Sequence, residues 1–218
     1  MSTKTDQQDQ AGHRDGGVTA LLDATLDRLA QRRGEDGEVS LGTLLDELDE
    51  RAFGLLLLVL ALPCCIPLLW GIPQIVALPM LAIAFQIARG REHPWLPEAL
   101  RQRRFAVSGM HGVVRRAQRY LGWAERLARP RLNRLTEGVG LRIVGFLLLI
   151  PTASILVPLP STNTAPGIGV AIASVGLLER DGLLVLLGLL FGLAWVMLLA
   201  FLGAEAIAFA KGLVFGTP

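Results

Sequence analysis

The sequence predicts an all-α integral membrane protein. Two Pro- and Gly-broken hairpins, either fully spanning or re-entrant, form an internal repeat. A C-terminal transmembrane helix follows, and amphipathic surface helices accompany them. Three observations lead there. Of 218 residues, 52% are apolar and only 18% charged, with a mean hydropathy of +0.49, whereas about a quarter of a soluble domain is charged. The apolar excess is concentrated: no Asp, Glu, Lys or Arg occurs in 52–88, 143–178 or 182–204, runs of 37, 36 and 23 residues. About 18 apolar residues are enough for a membrane segment. Finally, the first two runs are punctuated by proline and the third has none. Together these exclude an ordinary soluble enzyme, a disordered chain and a disulfide-rich scaffold.

Residues 1–17 are polar and Gly-rich and read as a disordered tail with no apolar core of a cleavable signal. Residues 18–50 read as two cytoplasmic amphipathic helices. Val18, Leu21, Leu22, Leu26 and Leu29 recur at helical spacing, with Asp23, Asp27 and Arg28 opposite. Gly34 and Gly37 end that helix, and Ser40 can N-cap a second one carrying Leu41, Leu44, Leu45 and Leu48. Residues 51–90 form the first hairpin. A straight helix over the 37-residue apolar run would be about 55 Å long, against a hydrocarbon core of about 30 Å. Pro63, Pro67, Gly71, Pro73 and Pro79 interrupt it, because each internal proline removes a helix hydrogen bond and crowds the preceding turn. The second hairpin, 142–181, repeats the pattern with Pro151, Pro158, Pro160 and Pro166. Residues 91–141 lack a stretch able to cross and read as basic surface helices. Residues 182–210 read as a single span and 211–218 as a tail.

The two hairpins align at an offset of 91 residues. Arg51 meets Arg142, Gly54 meets Gly145, Pro67 meets Pro158 and Arg89 meets Arg180. Repeats built from Gly- and Pro-interrupted membrane segments are frequent in transporters, although duplication also occurs in proteins that transport nothing.

Charge orients the chain. Residues 1–51 carry 6 basic and 12 acidic side chains; residues 89–142 carry 13 Arg and 4 Glu. So basic a block beside apolar segments belongs on the cytoplasmic side of the membrane. Both hairpins then leave from and return to that side, the N-terminus is cytoplasmic, and one further span leaves Lys211 to Pro218 in the periplasm. The block faces anionic head groups rather than nucleic acid, since little aromatic interleaving accompanies the arginines.

No GxGxxG, Walker loop, HExxH or GxSxG occurs, and His13, His93 and His111 are scattered. The expectation is a protein that is not an enzyme and holds no metal or cofactor. Adjacent Cys64 and Cys65 read as small apolar residues. The polar candidates lie at the hairpin tips: Ser161, Thr162, Asn163, Thr164 and Pro166 in the second, Trp70 and Gln74 in the first. Polar groups at membrane depth are costly unless paired or facing a cavity. A re-entrant tip would let them bind a polar solute, whereas a spanning tip would make them a wet loop. Arg51, Arg89, Arg142 and Arg180 frame the hairpins, either as snorkelling anchors or as a ring for head groups or phosphates. Glu205 is a candidate for a proton-linked role, and Gly188 with Gly192 offers a close-packing homodimer face.

The stretches Leu41-Gly42-Thr43-Leu44-Leu45 and Glu50-Arg51-Ala52-Phe53-Gly54 resemble the start of the first hairpin in the ExoD family of bacterial exopolysaccharide-synthesis membrane proteins. So do Gln86-Ile87-Ala88-Arg89-Gly90-Arg91 and Pro94-Trp95-Leu96-Pro97 after it. Asn163-Thr164-Ala165-Pro166 and Gly176-Leu177-Leu178-Glu179-Arg180-Asp181-Gly182 are similar to that family's second signature. The resemblance covers about residues 38–210 and implies an inner-membrane protein of exopolysaccharide production, with no catalytic residues. Two roles fit: a small transporter or channel-like unit for a polar or anionic solute or lipid, or a non-transporting accessory protein that contacts polysaccharide-synthesis proteins.

Overall fold

A computed structural model describes residues 24–28, 38–67, 69, 71–106, 131–157 and 162–215. The tail 1–17, most of the first amphipathic helix, most of the basic block (107–130), Trp70, Pro158, Pro160 and Ser161 lie outside the described residues. From Val39 to Ser40 the chain pairs with a second short segment: β1 (Glu38–Ser40) lies antiparallel to β2 (Arg104–Ala106), with Val39 opposite Phe105. This departs from the all-α expectation. Three-residue strands carry too little alternation to be seen in a sequence, and Val39 and its partner Phe105 are 66 residues apart. Ser40 then caps α1 (Leu41–Leu48), its hydroxyl oxygen accepting the Thr43 N–H at 3.2 Å. Leu44, Leu45 and Leu48 face inward, where they meet Leu26, Val39, Ala52, Leu58 and Leu178. The acidic amphipathic segment is thus docked on the apolar bundle through one leucine-rich patch.

The first hairpin consists of α2 (Arg51–Ala61), a 3-10 turn (Leu62–Cys65) and α3 (Ile72–Ala88). Its prolines do different things. Pro63 sits in the 3-10 turn, and Pro73 lies in the first turn of α3, where no helical partner for its missing N–H is required. Gly71, before α3, has φ +79°, a left-handed turn that a side chain would disfavour. Pro79 does not break α3, nor does Pro151 break the next long helix. The expectation that every internal proline interrupts was too strong. Helices packed against neighbours tolerate the loss of one hydrogen bond. After α3 come the four-residue α4 (Glu98–Arg101) and β2. The second hairpin consists of α5 (Gly138–Ile155) and α6 (Thr164–Glu179), and α7 (Gly182–Phe215) closes the chain. At 34 residues, about 51 Å, α7 exceeds the predicted 182–210 span.

The hairpins interlock. α2 packs mainly along α6 and α3 mainly along α5, each helix touching the other hairpin more than its own partner. The contacts are reciprocal. A Cβ added at Gly54 of α2 would lie 2.9 Å from the Leu178 amide nitrogen and the Ser174 carbonyl oxygen. One added at Gly145 of α5 would strike the Ala88 nitrogen and lie 2.8 Å from the Ile87 carbonyl carbon. Gly54 with Leu178, and Gly145 with Ile87, are one pair under the 91-residue offset with the halves exchanged. Only glycine lets the backbones approach this closely.

α7 joins by the same device. Gly188 rests on Ala173 and Gly169 of α6, and Gly192 rests on Gly169 and on the Pro151 ring of α5. The homodimer face expected at Gly188 and Gly192 is therefore occupied within the chain. GxxxG reports close helix contact without saying which helix makes it.

The exterior is apolar. Ile75, Leu78, Val139, Phe146 and Met197 are among many large side chains left exposed. Two helical stretches are long and apolar enough to cross a membrane, Gly138–Ile155 and Gly182–Phe209. Exposed apolar surface of this extent marks an interaction face, and with two such helices it suggests membrane association.

Candidate functional site

The bundle has a polar end and a tip end. At the polar end the starts of α2, α5 and α7 and the finish of α6 converge. Arg51, partly buried at the head of α2, is disfavoured as a cation by burial and by Arg180, and supported by Glu179. Arg180 adopts φ +53° as it ends α6. Its guanidinium reaches Glu50 at 3.9 Å and Glu137 at 3.8 Å, tying the approaches to both hairpins together. Both contacts are partly solvated, so each contributes at most about 1 kcal/mol. Glu50, Arg51, Phe53, Thr136, Leu141, Leu177 and Arg180 line a small cleft between them. Arg142 lies against Gly90, and Arg89 sits 5.4 Å from the Phe85 ring centroid. The four framing arginines therefore fall into two groups, Arg51 with Arg180 and Arg142 beside the Arg89–Gly90 turn. Arg180 faces two carboxylates, those of Glu50 and Glu137.

Asp181 completes this end. Its carboxylate accepts the Leu183 N–H at 2.9 Å and the Leu184 N–H at 3.3 Å, capping α7 while 1% exposed. Gly182 fits under the Arg131–Leu132 backbone, donating its N–H to the Arg131 carbonyl at 2.7 Å. Asp181→Ala is expected to lower stability by about 1–2 kcal/mol, because two helix-terminal N–H groups lose their acceptor. Thermal melts in detergent would show this, with Asp181→Asn, whose amide oxygen can still accept both N–H groups, losing much less.

At the tip end, Asn163 precedes α6. Its backbone carbonyl accepts the Gly167 N–H at 3.0 Å, but its side chain makes no capping bond. Asn163 is 8% exposed, and its Oδ1 is buried with no hydrogen-bond partner. Thr164 opens α6 and Pro166 is buried in its first turn. Thr162 has a partner of its own. Among the described residues three further buried polar atoms lack partners: Gln74 Oε1 in the first turn of α3, Thr152 Oγ1 in α5 and Trp195 Nε1 in α7. Gln74 was anticipated from its place at the first tip. Thr152 and Trp195 were not, since a hydroxyl in a helix ordinarily closes onto a carbonyl three or four residues back. Ser154 and Ser174 do so, on Pro151 and Val170, each at 2.7 Å.

Glu205 lies on the exposed part of α7, away from the packed bundle, so it does not join the tip groups. Cys64 is packed under Gly167, and Cys65 is directed to the Ala61 carbonyl. Among the described residues no three His, Cys, Asp or Glu side chains cluster as a metal site would require.

Interlocked hairpins and an apolar exterior define a class: a mostly helical bundle with two helices long and apolar enough to cross a membrane. The ExoD family profile, described as exopolysaccharide synthesis, matches residues 22–201. The chain belongs to the ExoD family. It is 34% identical over 203 residues to Protein ExoD of Rhizobium meliloti strain 1021, covering 89% of this chain and 82% of that protein. It is also 29% identical over 155 residues to the uncharacterized protein slr1875 of Synechocystis, covering 70% of this chain and 73% of that one. Comparison with solved structures finds no match.

Proposed function

We propose that this ExoD-family protein is embedded in the bacterial inner membrane with its Arg-rich end in the cytoplasm, and that its hairpins form a small transport unit for a polar solute used in exopolysaccharide synthesis. The observation that carries this reading is Asn163 Oδ1, buried and unpartnered among apolar helices. Such a group costs about 1–3 kcal/mol, a cost a purely structural bundle has no reason to retain. The reciprocal Gly54 and Gly145 contacts support an internal repeat. Because both hairpins open to one end, the repeat is parallel rather than inverted, with its axis along the membrane normal. Helix lengths support re-entrant tips: α3 and α6 have 17 and 16 residues, about 24–26 Å each, short of a hydrocarbon core of about 30 Å.

The second reading, an accessory protein, rests on the docked N-terminal layer. There Arg101 pairs with Asp46 at 2.7 Å beside an open polar groove lined by Ser40, Thr43, Glu98 and Gln102. One experiment separates the two. In a host lacking its own ExoD protein, Asn163→Ala should reduce exopolysaccharide to the level of the empty host with normal membrane abundance, whereas deletion of residues 1–37 should leave most of it. The opposite pattern would replace the transport reading with the accessory one.

A further inference from the structure

Building on the transport reading above, we propose that the tip end binds an uncharged, hydroxyl-rich solute, such as a sugar unit, through Asn163, Thr152 and Trp195, with Gln74 at the same depth on α3, which packs on α5. These four residues hold the unpartnered buried polar side-chain atoms among the described residues, and they come from α3, α5, α7 and the start of α6. The packing register brings them to one end. Gly192 of α7 sits on Gly169 of α6 and Pro151 of α5. Thr152 follows Pro151 directly. Trp195 lies one helical turn beyond Gly192, and the antiparallel α6 runs back from Gly169 through Pro166 to Asn163. On the other side, Gly167 touches Cys64 at the tip of the first hairpin, and Gln74 lies in the first turn of α3 after that hairpin turns. Two helices of 16 and 17 residues thus begin at this end.

The chemistry of the set selects the ligand. Two amide oxygens accept, an indole N–H donates and a hydroxyl does both. A solute hydroxyl also donates and accepts, so it serves either orientation of each amide. No charged residue occurs in 52–88, 143–178 or 182–204, the stretches that build this end. An anion brought here would lose its water and meet no cation, so charge is selected against. This narrows the sequence-level expectation of a polar or anionic solute to a neutral one.

The test uses the full chain reconstituted into phosphatidylethanolamine–phosphatidylglycerol vesicles, with labelled D-glucose, D-galactose and D-glucose 6-phosphate as probes. Wild type should take up a neutral hexose saturably and pass the sugar phosphate no faster than protein-free vesicles. Thr152→Val and Trp195→Phe should each raise the half-saturating concentration about tenfold, the loss expected for one hydrogen bond. Thr152→Val should melt no lower than wild type, which separates a lost ligand contact from a lost fold. Uptake of the sugar phosphate without the hexoses would overturn the neutral-solute inference and leave the transport reading standing. Hexose uptake indifferent to both substitutions would overturn the placement of the site alone. A folded, inserted protein that moves none of the three probes overturns the inference and the transport reading together.

Discussion

Gly145→Ala is expected to destabilise the bundle severely, by about 3 kcal/mol, and Gly54→Ala by a comparable amount. The added Cβ at Gly145 meets the backbone of Ile87 and Ala88, and the one at Gly54 meets the backbone of Ser174 and Leu178. Backbone in a packed helix cannot rotate away as a flexible side chain can, so α3 and α5, or α2 and α6, must separate along their length. Overpacking of this kind costs about 1–3 kcal/mol, and these contacts lie at the tight end of that range. Thermal melts of the purified protein in detergent would measure it. A Gly145→Ala protein that melts with wild type would mean the two hairpins do not interlock. A large loss at one glycine and none at the other would remove the basis for treating the hairpins as equivalent.

In α7, Gly188→Val should detach the helix from the bundle, while Gly203→Val should be close to neutral. A Cβ at Gly188 strikes the Ala173 nitrogen and the Gly169 carbonyl oxygen, whereas nothing lies within 4 Å of one at Gly203. The same substitution in the same helix therefore separates packing from helix propensity, which differs little between the two sites. Limited proteolysis and melting temperature would both fall for Gly188→Val, with a stability loss of about 2–3 kcal/mol. A change in oligomeric mass with unchanged melting would instead return Gly188 to a face between two copies of the chain.

Much of this molecule is legible in its residues. Ser40 as a cap, the leucine face of α1, and the placement of the first hairpin between Arg51 and Arg89 follow from side-chain chemistry and spacing. The Glu179-Arg180-Asp181-Gly182 stretch was recognisable as a signature but not explicable. Only the folded chain shows Arg180 bridging Glu50 and Glu137, Asp181 capping α7 and Gly182 lying under residues 131–132. The Pro94-Trp95-Leu96-Pro97 stretch is similar. The Gln86 side-chain amide accepts the Trp95 N–H at 2.6 Å and donates to its carbonyl at 3.1 Å, pinning the segment to the end of α3. Neither role leaves a trace in local periodicity, because the partners lie in other elements.

The sequence alone determined that this chain is helical, where its apolar segments lie, which end is cationic and to which family it belongs. Those properties follow from composition, from charge-free runs measured against the thickness of a bilayer, and from local motifs, all of which are additive along the chain. Tertiary structure decided which helix meets which, and so set Gly188 against α6 and Gly192 against α5 and α6. It also decided which polar atoms are left without partners. Asn163 stood out as a polar residue in an apolar run, but Thr152 and Trp195 did not. A hydroxyl or indole becomes an unsatisfied group only when packing has removed both water and every neighbouring partner, and that depends on four helices at once.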